Sequence, residues 1–106
     1  MTADNIVLTE AVFYILLSLH SPLHGYGIMQ NVEALSGGRV KLAAGTLYGA
    51  ISSMLEKGWI QALPGEASSR KKVYEITDSG KTIAKNELLR LQELLANGER
   101  IIHENR

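Results

Sequence analysis

Gly45–Ile60 reads GTLYGAISSMLEKGWI, and Arg70–Thr77 reads RKKVYEIT. In the first stretch Leu47, Ile51, Met54 and Leu55 recur at helical spacing, which predicts an amphipathic helix with these residues against a core. Its other face carries Gly45, Tyr48, Gly49 and Ser52, mostly small residues that let a backbone approach a groove closely. Gly58 stops that helix, Trp59 to Leu63 alternates as a strand, and Pro64 to Ser69 is the turn. Lys72 to Ile76 then reads as the returning strand. A helix that leads straight into a hairpin with a basic tip is the order of a DNA-reading winged helix.

Upstream, Leu8, Val12, Ile15, Leu16 and Leu19 mark a helix opening near Asn5 or Thr9, and Phe13, Tyr14 and Leu17 make it apolar almost all round. Burial on two sides is expected, one against the core and one against a second copy of the chain. His20, Ser21 and Pro22 end it, because proline disfavours helical geometry in the residue before it. A second helix is predicted from Gly25 to Ser36, stopping at Gly37-Gly38, and Arg39 to Leu42 is expected to be a short extended strand. Downstream, Thr77 or Asp78 is placed to cap a last helix over Ser79 to His103. Ala84, Leu88, Leu91, Leu95, Gly98 and Ile102 form a heptad seam along it, too long for one small domain to cover. Gly98 either marks a close approach of two helices or breaks this one, at about 1 kcal/mol relative to alanine. The predicted class is mainly α with a small β-hairpin. Residues 1–78 are read as a winged helix-turn-helix domain and residues 79–106 as a C-terminal dimerisation helix.

With 106 residues the chain has room for one core. No apolar run reaches the roughly eighteen residues of a membrane span. MTADNIVLTE carries acids rather than a secretory n-region, so the expected compartment is the cytoplasm. Absence of cysteine excludes disulfides, thiolate metal sites and thiol switching. A formal net charge of zero is unusual for a nucleic-acid binder, but its distribution is uneven. From Arg39 to Lys72 the bases Arg39, Lys41, Lys57, Arg70, Lys71 and Lys72 face only Glu56 and Glu66, leaving that third net positive by four and the rest net negative by four. Such asymmetry suits a binding face opposed to a non-binding one.

HGYGI at His24–Ile28, GTLYGAISSMLEKGWI at Gly45–Ile60 and RKKVYEITDSG at Arg70–Gly80 together resemble PadR-family transcriptional regulators, over about Leu8 to Ala84. The length resembles the short-tailed branch with a single C-terminal helix. The resemblance implies a winged helix-turn-helix, dimerisation through the last helix with help from the first, and repression at a palindromic operator. It also implies that a ligand, where one is sensed, is a small apolar or aromatic effector at the dimer interface. Similar proteins usually carry serine and often proline ahead of GTLY. Here Ala43 and Ala44 offer no acceptor for the first amides of the helix, a loss of about 1 kcal/mol where a cap would form.

For DNA contact the candidates are Thr46, Tyr48, Gly49 and Ser52 on the recognition helix, since the first turns of such a helix enter the major groove and a dimer places two about 34 Å apart. Tyr48 either bonds a phosphate through its hydroxyl, packs its ring on a sugar, or folds its ring back on the core. The helix lacks arginine and asparagine for bidentate base contacts, which gives shape readout more weight. Arg70, Lys71 and Lys72 at the wing suit phosphate neutralisation. Lys41 and Arg39 either reach phosphate or serve solubility. Tyr26, beside the amides of Gly25 and Gly27, either clamps a phosphate at the second helix or, as a half-buried ring, stabilises its start. Candidates for the dimer interface are Val12, Ile15, Leu88, Leu91, Leu95 and Ile102. Pro22 interrupts the His20–His24 spacing, so these histidines read as structural and no metal or cofactor is expected. Trp59 is expected in the core under the wing.

The chain carries no phosphate loop, nucleophile elbow or acid pair that would make it an enzyme. The alternative function is a winged-helix protein–protein interaction module without direct DNA readout, because fold alone does not fix function.

Overall fold

The computed structural model describes residues 6–64 and 72–105. Four helices and three short strands occur among them, in the order α1 (Glu10–Ser18), β1 (Leu23–His24), α2 (Gly25–Leu35), α3 (Ala44–Glu56), β2 (Ile60–Ala62), β3 (Val73–Ile76) and α4 (Asp78–Glu104). The strands form one antiparallel sheet in the order β1-β3-β2. Leu23 and His24 pair with Tyr74 and Val73, and Ile60, Gln61 and Ala62 pair with Ile76, Glu75 and Tyr74.

Polar side chains set most of the helix boundaries. Thr9 opens α1 by accepting the Val12 N–H at 3.1 Å, and the His20 ring nitrogen Nδ1 closes it on the Leu16 and Leu17 carbonyls. His24 opens α2, its Nδ1 accepting the Gly27 N–H at 3.2 Å. Both histidines are therefore structural, at the two ends of the α1–α2 connection. At the close of α3, Gly58 adopts φ +78°, and the Trp59 N–H reaches back to the Met54 carbonyl at 3.0 Å, which takes up a carbonyl the helix leaves free.

Ile15, Leu16, Leu19, Ile28, Val32, Leu47, Ile51 and Met54 are fully buried and bring α1, α2 and α3 onto one core. Trp59, Ile60, Tyr74, Ile76 and Ala84 extend that core under the sheet and onto α4. Trp59 is buried as expected, with the Lys57 ammonium 4.9 Å from its ring centroid. Asn31 donates to Ser18 Oγ at 2.9 Å, and Ser18 donates to the Tyr14 carbonyl, so the polar pair between α1 and α2 is satisfied.

The structure corrects two expectations and decides a third. The extended segment Arg39–Leu42 is not a strand, because the Val40 N–H is taken by Ser36 Oγ at 2.9 Å and its backbone capacity is used locally. The third strand is instead β1, two residues that follow the bend at Ser21 and pair with β3. Leu55, expected in the core, stays partly exposed at the solvent edge of α3. Gly98 breaks nothing, since α4 runs unbroken to Glu104.

Candidate nucleic-acid interface

The outer face of α3 is open. Thr46, Gly49 and Ser52 are exposed, and a Cβ built on Gly45 or Gly49 would meet nothing within 4 Å. At its N-terminus Ala43 occupies the cap position with no side-chain hydrogen bond, so the first amides of α3 have no side-chain acceptor there. The Leu47 N–H donates to the Ala43 carbonyl at 2.9 Å.

Tyr48 is not folded back into the core. Its ring is about half exposed, while its hydroxyl rests on Gly25, where a Cβ would lie only 2.2 Å from the oxygen. Glycine at position 25 is what lets the recognition helix seat a tyrosine on the first turn of α2. The next residue, Tyr26, is 64% exposed, which discards a half-buried ring as the way it stabilises the helix start. The β1–β3 register pairs His24 with Val73, which carries the exposed Lys72 to the level of Gly25. Tyr48 of α3 thus rests on Gly25, exposed Tyr26 follows that glycine in the chain, and exposed Lys72 precedes the His24–Val73 pair. Tyr74 lies buried behind them. Burial pushes its hydroxyl above the ordinary tyrosine range, and nearby Tyr48 adds to the shift.

Lys41 is exposed just ahead of α3. The Arg39 guanidinium pairs with both oxygens of Glu10 on α1, one at 3.1 Å. That ion pair holds the Glu10 carboxyl below its usual range. Arg70 and Lys71 lie outside the described residues.

Along α4, Leu88, Leu91, Leu95 and Ile102 are exposed, with Leu94 and Ile101 flanking them. Val12 is half-buried. Ile15 cannot serve an interface, because it is 0% exposed and packs inside the core. The stripe of α1 that contains it faces inward, and Phe13 and Leu17 stand at the outer edge instead. They line a groove of about 430 Å³ between α1 and α4, with Ala84 and Leu88 on its floor and His20, Lys81 and Lys85 around it. The apolar character of α1 on all sides is the sequence signal for that groove.

Glu87 is a site that sequence patterning does not single out. It is only 2% exposed, yet it carries a carboxylate, held by Arg90 Nε at 2.9 Å and Nη2 at 2.6 Å. Arg90 holds its carboxyl below the usual range against the opposing effect of burial, and the Leu8 amide adds to the lowering. Its spacing of three residues from Arg90 is the one visible clue. Among the described residues no cluster of three metal-ligating side chains occurs, and no helix is long and apolar enough to cross a membrane.

Comparison with known proteins places this architecture. The chain is similar to a PadR-family transcription regulator from Clostridium difficile, with a TM-score of 0.74 at 19% identity, covering 89% of this chain and 99% of that one. A PadR-family regulator from Eggerthella lenta matches with a TM-score of 0.68 at 23% identity, over 90% of this chain and 82% of that one. Bacillus subtilis PadR, solved with operator DNA, matches with a TM-score of 0.63 at 25% identity, over 73% of this chain and 45% of that one. No curated protein matches. The model of the PadR-like transcriptional regulator family covers residues 13–86, from α1 through the recognition helix and sheet into α4. The chain therefore belongs to the PadR-like family of transcriptional regulators, proteins that regulate transcription and are not enzymes.

Proposed function

We propose that the protein is a homodimeric repressor that binds a palindromic operator in double-stranded DNA. The observation that carries this reading is the exposed small-residue face of α3, with Tyr48 of the same helix seated on Gly25 at the start of α2. Thr46, Gly49 and Ser52 enter the major groove, Tyr26 and Tyr48 meet backbone or sugar, and Lys41 with Arg70, Lys71 and Lys72 neutralises flanking phosphates. The operator complex of Bacillus subtilis PadR supports DNA as the partner. In this reading residues 1–78 form the DNA-binding part and residues 79–106 the dimerisation helix, with Leu88, Leu91, Leu95, Ile102 and Val12 meeting a second copy. The exposed leucines supply the apolar surface that such a pair would bury. A small apolar or aromatic effector at the interface releases the operator, a role for which the α1–α4 groove offers apolar walls.

The test is a titration of purified protein against DNA from its own promoter region, at two salt concentrations and against a scrambled duplex. Selective binding that weakens with salt and is lost on Arg70→Ala with Lys71→Ala is the expected result. Binding that ignores salt and survives both substitutions would favour the protein-interaction module instead.

A further inference from the structure

One side chain joins the recognition helix to the last helix. The Thr77 hydroxyl accepts the Gly80 N–H at 3.0 Å, which caps α4, and donates to the Gly58 carbonyl at 2.6 Å, in the turn that closes α3. The Thr77 N–H donates to the Trp59 carbonyl at 3.0 Å. Gly80 is pressed on the same turn: a Cβ there would lie 2.0 Å from the Trp59 carbonyl oxygen and 2.7 Å from Ile76 Cγ1. The end of α3 and the start of α4 are thus one hydrogen-bonded body. Farther along, the buried Ala84 and Glu87 hold α4 to the core, and beyond them the exposed leucines run out along the helix.

We infer that Thr77 and Gly80 are positioning residues that fix the separation and angle of the two recognition helices in the dimer, and so the half-site spacing the protein accepts. The inference rests on the proposed dimeric DNA reading. Its physical basis is a lever. At 1.5 Å per residue, Leu95 in the seam stands roughly 27 Å along α4 from Thr77, so a rotation of about 10° at the joint displaces the DNA-binding part by roughly 5 Å relative to the seam. That exceeds the roughly 3.4 Å rise of one base pair, so an operator of fixed spacing needs a joint held to a few degrees. The hydroxyl that satisfies both helix ends and the glycine with no room for a methyl group fix the joint, and Ala84 and Glu87 add to its rigidity farther along α4.

The chain has no cysteine, so Glu56→Cys at the exposed end of α3 gives one spin label per protomer. Pulsed electron–electron distance measurements on the labelled dimer should give one narrow distribution. Adding Thr77→Val, which keeps the shape and removes both hydrogen bonds, should broaden or shift it by several ångströms, and Thr77→Ser should restore it. In selection from random duplexes, unlabelled Thr77→Val protein should accept half-site spacings one base pair away from the parental one. An unchanged distance distribution and an unchanged spacing in folded Thr77→Val protein would overturn the inference while leaving the repressor reading intact. No dipolar signal in the parent would overturn the dimer itself, and the inference with it. Gly80→Ala is a second probe with the same expectation, and Thr77→Val carries the test should that variant fail to fold.

Discussion

At the scale of single residues, the surface assigned to DNA depends on small groups in particular places. Gly25 allows the Tyr48 hydroxyl to rest on the start of α2, and only the packed chain shows it, because the two residues lie on different helices. Gly25→Ala pushes against the far end of a flexible side chain rather than backbone, so the protein should stay folded while the Tyr48 ring is displaced. Operator affinity should fall, as a titration of the variant would show, and an unchanged affinity would remove Tyr48 from the binding surface. Ala43 is legible from sequence alone: a residue without an acceptor stands at the cap of α3, and no cap bond forms. Ala43→Ser should stabilise the protein by about 1 kcal/mol in urea unfolding. His24 is the converse case, since its capping bond to the Gly27 amide is visible only in the folded chain. His24→Ala should cost about 1 kcal/mol, while His24→Asn, with a better capping oxygen, should recover it.

Elements are legible in proportion to their length and pattern. α3 and α4 match expectation within a residue or two of their ends, because periodicity over many residues averages out local noise and Thr77 supplies a cap. β1 escapes a sequence reading, since a strand of two residues has no alternation to follow and exists only because β3 lies beside it. Ile15 is misassigned to the interface for a related reason. An apolar helix announces that it is buried on most sides, but periodicity alone does not say which neighbour covers which side. α4 carries two predictions. Leu95→Lys places a charge in the centre of the exposed seam and should convert a dimer to a monomer in sedimentation equilibrium, with the domain still folded because Leu95 lies outside the core. Glu87 pairs with Arg90 within α4 and accepts from the Leu8 amide, and its folded-state pKa is lowered from 4.5. The stabilisation it gives is therefore fully present above about pH 4.5 and is lost as pH falls through the lower folded value. Melting temperature should drop over that acid range, and Glu87→Gln should lower it at neutral pH while flattening the acid dependence. An identical pH profile in both proteins would remove Glu87 as the cause.

For the whole molecule, the exposed leucines run along α4, while in sequence the stretch from Arg39 to Lys72 is the one with a net positive charge. Replacing Arg70, Lys71 and Lys72 together by alanine should reduce the slope of log affinity against log salt by roughly 0.9 for each phosphate no longer neutralised, equally on operator and scrambled DNA. An effect confined to the operator would mean that these residues read bases. Arg39, a base counted in the same positive stretch, is tied to Glu10 on α1, so a run of like charge in sequence need not be one surface in space. Residue order alone was enough for the succession of helices and hairpin, the small-residue face of α3, the missing cap at Ala43 and the seam of α4. Each of these depends on spacing along one continuous segment. Folding in three dimensions was needed to place Ile15 inside, to seat Tyr48 on Gly25, to pair Arg39 with Glu10, and to bond α3 to α4 through Thr77. Those facts depend on which distant residues meet, and no local period encodes that.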